Sequence, residues 1–203
     1  APEDSLYVFD EGHQLPAKCL NQFALRFHSG GTLQGLRDSE RWLAASAENW
    51  VAQGLDERLI PAMTSLVGDL IQRSEDIAEL LWQLLPEADF ERAEHRFPHG
   101  RIPADLAEQA AGLVAQWDQL YREATRLEAA LENSQTAGSS SADSAIAGAA
   151  DPDLNLANAQ GLVARAEQQL AVWRAFADAP GEGEPGDGWA RWCQHRGTPQ
   201  TVE

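Results

Sequence analysis

The stretch PADLAEQAAGLVAQWDQLYREATRLEAALEN, residues 103–133, decides the fold. Leu106, Ala110, Leu113, Trp117, Leu120, Ala124, Leu127 and Leu131 recur in alternating steps of four and three. That spacing puts all eight on one stripe of an α-helix, and it is sustained for more than three heptads, the pattern of long antiparallel or coiled-coil packing. At ~1.5 Å per residue the helix spans on the order of 45 Å. An apolar stripe of that length must be covered by other helices, so the chain reads as mainly α.

The flanking segments supply the partners. Residues 153–178 repeat the seam with Ala159, Leu162, Ala166, Trp173 and Phe176. Residues 62–85 carry Leu66, Leu70, Ile77, Leu81 and Leu84 on one face and stop at Pro86. Residues 38–53 place Trp42, Leu43, Ala47, Trp50 and Val51 on one side. Upstream, Pro16 opens a further helix with Leu20, Phe23, Ala24 and Phe27, which Gly30-Gly31 is expected to stop. Trp42, Trp50, Trp82, Trp117 and Trp173 lie at helical spacing and are expected in the core. The Ser-, Ala- and Gly-rich stretch near 134–152 reads as a flexible loop, and 180–188 as an acidic loop. Short strands are expected at the two ends, around Leu6-Tyr7-Val8-Phe9 and after Trp189.

Composition narrows the function classes. The chain has 203 residues, 15 basic and 32 acidic side chains, and a net charge of −17. At that charge the molecule as a whole repels phosphate, unlike a stand-alone nucleic-acid module. Apolar residues make up 43%, enough for a globular core. Two cysteines, Cys19 and Cys193, are too few for a disulfide scaffold or a four-cysteine cluster. No run approaches the ~18 apolar residues that cross a bilayer, and no leader pattern opens the sequence, so a cytoplasmic setting and no membrane partner are expected.

The chemistry sits at the opening. The apolar run Leu6-Tyr7-Val8-Phe9 delivers Asp10-Glu11-Gly12-His13 at its C-terminal end. A buried strand ending in an acid pair and a histidine suits a nucleotide site: the first acid holds Mg²⁺ through water, the second orients the attacking water, and the histidine reports nucleotide state. The plain alternative is a strand that ends in a polar turn. A metal site made of the same three side chains lacks a distant ligand to complete it.

The sequence Leu6-Tyr7-Val8-Phe9-Asp10-Glu11-Gly12-His13-Gln14-Leu15-Pro16 resembles motif II of the DinG-type DNA helicases, superfamily 2 relatives of XPD, with Gly12 where the DEAH box usually has Ala. Ala93-Glu94-His95-Arg96-Phe97, with Gly100 and Pro103 after it, resembles a segment of the helical insertion of that family. The resemblance implies an ATP-dependent 5′→3′ helicase that encloses single-stranded DNA between its Arch insertion and an iron–sulfur domain. It assigns 1–16 to the first motor domain, 17–188 to an Arch-like antiparallel helical bundle, and 189–203 to the return toward the motor. It implies Asp10, Glu11 and His13 as catalytic residues, Mg²⁺ at Asp10, ATP as cofactor, and a 4Fe-4S cluster whose ligands lie outside this sequence. No G-x-x-x-x-G-K-[ST] phosphate loop is present, so by itself the chain is expected neither to hydrolyse ATP nor to unwind DNA, and to bind DNA weakly.

Arg92, Arg96 and Arg101 surround Phe97 in the most basic part of an acidic chain. They are the candidate nucleic-acid contacts, with Phe97 available to stack on a base. The competing structural reading pairs Arg96 with Glu91 or Glu94 and lets Phe97 plug the bundle. Trp189 and Trp192 flank Arg191 and form a second aromatic–Arg candidate. The alternative for the chain as a whole is a non-enzymatic acidic helical scaffold or protein-interaction module, and a nucleic-acid mimic is a third possibility.

Overall fold

The computed structural model describes residues 24–52, 54–86, 93–138, 152–180 and 188–195. Four α-helices run through them: α1 (Ser29–Ala52), α2 (Leu59–Gln83), α3 (Ala104–Gly138) and α4 (Pro152–Ala177). Two three-residue strands, β1 (Glu94–Arg96) and β2 (Trp192–Gln194), pair antiparallel, and a 3-10 turn at Pro98–Gly100 follows β1. The architecture is mainly α with one small sheet.

The helices go up, down, up and down, with α3 and α4 in the most extensive contact. The seam explains why. Leu106, Leu113, Trp117, Leu120 and Leu127 are buried on α3 with Ala110 and Ala124 between them, and α4 answers with Ala159, Leu162, Ala166 and Trp173. Alternating large and small side chains interdigitate and let the axes approach. The core continues into α2 through Ile60, Met63, Val67, Leu70 and Ile77, and into α1 through Leu36, Leu43 and Trp50.

Helix α1 begins nine residues before the expected 38. Gly30-Gly31 does not stop a helix; it lies in the first turn of one, and residues 24–28 are not helical. The first N–H groups of a helix lack an internal partner in any case, so glycine costs least there. The buried positions Thr32, Gly35, Leu36 and Ser39 extend the 38–53 face backwards in register. Gly35 brings α1 close to α4: Arg165 donates to the Gly35 carbonyl at 2.8 Å and to Ser39 Oγ at 3.2 Å, and Ser39 Oγ donates to the same carbonyl at 2.8 Å. One turn further on, Trp42 Nε1 donates to Asn155 Oδ1 at 3.0 Å.

Helix α3 runs through residue 138, into the stretch expected to be loop. The rest of that stretch up to residue 151, the 1–16 region, the Pro16 helix start and the Leu6–Phe9 run lie outside the described residues. Trp82 departs from its expected burial: it is 44% exposed, at the last turn of α2, where the neighbouring helices have already ended.

Candidate functional site

The helix directions place residues 24–28, 84–86, 93–103 and 188–195 at one end of the bundle, here called the base. Sequence alone does not pair Glu94–Arg96 with Trp192–Gln194, yet the register is definite: Glu94 faces Gln194, His95 faces Cys193 and Arg96 faces Trp192. The Phe97 N–H donates to the Arg191 carbonyl at 3.0 Å, and the His195 N–H to the Ala93 carbonyl at 2.8 Å.

Strand alternation then sorts the side chains. Ala93, Phe97 and Arg191 turn inward and are buried. Glu94, Arg96 and Gln194 are exposed on the other face, with Trp192 half-buried among them. Phe97 is 5% exposed, its ring edge-on to Phe176 at 6.4 Å and to His95 at 4.9 Å. Trp173 extends the cluster, 5.9 Å from Phe176 and 4.8 Å from Phe27. Phe97 therefore packs as a plug in the base, and no open face of its ring remains for a stacked base.

Arg191 is buried as well, 5% exposed. Its Nε donates to the Ala175 carbonyl at 2.7 Å and an Nη to the Gly100 carbonyl at 3.0 Å. Ala175 lies in the last turn of α4, where carbonyls lack helical partners and the macrodipole favours a cation. Arg191 thus ties the end of α4 to the turn after β1, and the aromatic–Arg candidate in the tail has its arginine turned into the protein. The signal for this was present as a basic residue between two tryptophans, but its direction depends on a strand pairing across about a hundred residues.

The remaining candidates divide. Arg96 is exposed and ion-paired with Glu94, whose hydrogen bond and charge raise the guanidinium pKa further above its usual value. Arg101 is half-buried at the start of α3's approach. Asp10, Glu11, His13 and Arg92 lie outside the described residues. Arg122 pairs with Asp118 and Arg126 with Glu123, as a solvated helix face does.

Cys193 is half-buried, its Sγ 3.8 Å from the Leu81 carbonyl, and desolvation raises the thiol pKa despite nearby backbone hydrogen bonds. A protonated, partly buried thiol is a poor metal ligand. No group of three or more His, Cys, Asp or Glu able to hold a metal occurs among the described residues. With two cysteines the chain cannot by itself ligate a 4Fe-4S cluster, which the resemblance places outside this sequence.

The described residues also line two surface grooves. One, of about 480 Å³, lies between α1 and α2 and is lined by Gln34, Arg37, Glu40, Arg41, Gly68 and Ile71. The other, of about 690 Å³, lies at the far end against Asp56, Arg58, Glu123 and Arg126. Both are rimmed by exposed ion pairs such as Arg37–Glu75, at 2.6 Å, and Arg126–Glu123, at 3.1 Å. Among the described residues no helix is long and apolar enough to cross a membrane. No family model matches the sequence, and no curated protein matches it.

Proposed function

We propose that this chain is the helical insertion of a DinG-type ATP-dependent 5′→3′ DNA helicase. The observation that carries the reading is the shared base. An insertion must leave its host domain and return to it at nearby points. Phe27, just before α1, touches Trp173, while Arg191, just before β2, bonds to Ala175, so the two sides of the chain meet within one turn of α4. The helices then project away as a rigid arm, α3 alone reaching about 50 Å at ~1.5 Å per residue.

In this reading Asp10 and Glu11 belong to the host's nucleotide site, where bound ATP and Mg²⁺ supply the phosphoryl chemistry. His13 sits beside them as the link to the DNA groove. The arm is a wall that keeps a single strand threaded. Arg96, held by Glu94, and half-buried Arg101 are the candidate DNA contacts near the base, while the net charge of −17 discourages DNA from settling elsewhere.

The test is biochemical and uses the whole gene product. Glu11→Gln should reduce its DNA-stimulated ATP turnover by about 10²-fold or more, the range for losing a positioned base. The 203-residue chain alone should show no turnover. DNA-stimulated ATP hydrolysis by this chain alone, or a gene product lacking a phosphate-binding loop, would refute the reading. The alternative, an acidic helical scaffold, is favoured by one observation: Val51 and Leu154 are 42% and 57% exposed toward the far end of the bundle.

A further inference from the structure

Residues 188–195 cross the base as a strap. Alternation along β2 turns Arg191, Cys193 and His195 toward the bundle, and each meets the end of a helix. Arg191 Nε donates to the Ala175 carbonyl, in the last turn of α4, at 2.7 Å. The Cys193 thiol lies 3.8 Å from the Leu81 carbonyl, and the His195 ring meets Trp82 edge-on at 4.8 Å, both in the last turn of α2. The other arm of the Arg191 guanidinium reaches the Gly100 carbonyl at 3.0 Å.

Three features set this segment apart from the helices it ties together. Its pairing is short: two strands of three residues form no sheet that is stable by itself. Its closed position also requires left-handed backbone at several points. Gly188 has φ +81° with no described atom within 4 Å of where a Cβ would stand, which makes it a pivot rather than a packed position. His99 at φ +55° and Gly100 at φ +71° follow one another in the turn that the Trp189 backbone crosses. His99 carries a side chain in a region that strains it, and such strain persists only while the surroundings impose it. The α3 seam, by contrast, is packed by α2 and α4 and does not depend on the strap.

We propose that the strap opens and closes as one unit on an intact bundle, with Gly188 as its pivot and Arg191 as its pin. In the closed form the guanidinium satisfies two carbonyls, one of them at a helix C-terminus where the macrodipole favours a cation. In the open form Arg191 returns to water, the ladder to β1 is broken, and the turn at His99 relaxes. This conformational device belongs to the described fold and stands whether or not the helicase reading does.

Native-state amide exchange of the 203-residue chain, read by NMR at rising but sub-denaturing urea, tests it. The Phe97 and His195 N–H groups donate across the ladder. Both should have the same protection factor, about 10²-fold or more below those of Leu113 and Leu120 in the seam. Their exchange should scarcely respond to urea, because opening the strap exposes little surface. Arg191→Lys keeps the charge and loses the two-armed fork. It should lower protection at Phe97 and His195 by about 10–100-fold, the range for one charge-assisted hydrogen bond, and leave Leu113 and Leu120 unchanged. If Phe97 and His195 match the seam in protection and urea dependence, the segment leaves the base only when the bundle unfolds and the proposal is overturned. Unequal protection at the two amides overturns it as well, since they then do not open together. The measurement on the parent chain decides both points even if Arg191→Lys fails to fold.

Discussion

Replacing Gly100 by alanine should loosen the whole base, and the structure sets the size of the effect. Gly100 has φ +71°, next to His99 at φ +55°. A side chain in that region costs roughly 1–2 kcal/mol from backbone sterics. The new Cβ would also overlap the Trp189 carbonyl oxygen and come to 3.0 Å from the Arg191 guanidinium. The first obstacle is backbone and cannot swing aside, so the chain around Trp189 has to move. That motion strains the 3.0 Å bond from Arg191 to the Gly100 carbonyl, and a hydrogen bond from a charged group contributes ~1.5–3 kcal/mol. The sum is about 2.5–5 kcal/mol. For a chain of this length each kcal/mol lowers Tm by ~2–4 °C, so a fall of roughly 5–20 °C is expected in a thermal melt followed by circular dichroism. Amide exchange should accelerate most at Phe97 and His195, the donors that hold β1 to β2. Gly161→Ala is the control. Its Cβ would meet nothing within 4 Å on the exposed side of α4, and gaining alanine in a helix interior should stabilise by ~0.5–1 kcal/mol. If Gly100→Ala melts within a degree of the parent, the tie between the α2–α3 connection and β2 is not what holds the base.

Trp117 is fully buried, and its indole N–H has no acceptor among the described residues. Trp117→Ala should cost ~3–5 kcal/mol in urea unfolding, but Trp117→Phe far less, because losing an unsatisfied donor worth ~1–3 kcal/mol offsets much of the cavity. Equal costs for the two substitutions would show that the indole donor is satisfied after all. At Cys193 burial raises the thiol pKa in the folded chain, so the folded state prefers the protonated form. The stability this contributes is fully present below the unfolded thiol pKa and is lost as pH rises through the folded value. Unfolding free energy should therefore decline above about pH 9 in the parent, less so in Cys193→Ala; identical pH profiles would exclude the effect.

Much of the molecule is legible in one dimension because helix burial is periodic. The eight-residue seam from Leu106 to Leu131 is local information: spacing alone puts those side chains on one stripe, and every one of them is buried. The same logic locates α2 and α4 to within a few residues of their observed limits. It fails where a contact between distant segments overrides a local signal. Gly30-Gly31 reads as a stop, yet α1 runs through it, since Thr32, Gly35 and Leu36 find partners on other helices. Trp82 has core spacing but sits where the bundle ends. For Phe97 and Arg191 the sequence leaves a ligand contact and a packing role both open; the pairing of Glu94–Arg96 with Trp192–Gln194, segments remote in the chain, turns both inward, as the plug reading of Phe97 has it. Periodicity measures which face of an element is apolar, and it carries no information about which other element will cover that face or where the covering stops. Those are decided by tertiary packing, and the base, with its buried arginine and exposed tryptophans, is the part of this protein that packing alone determined.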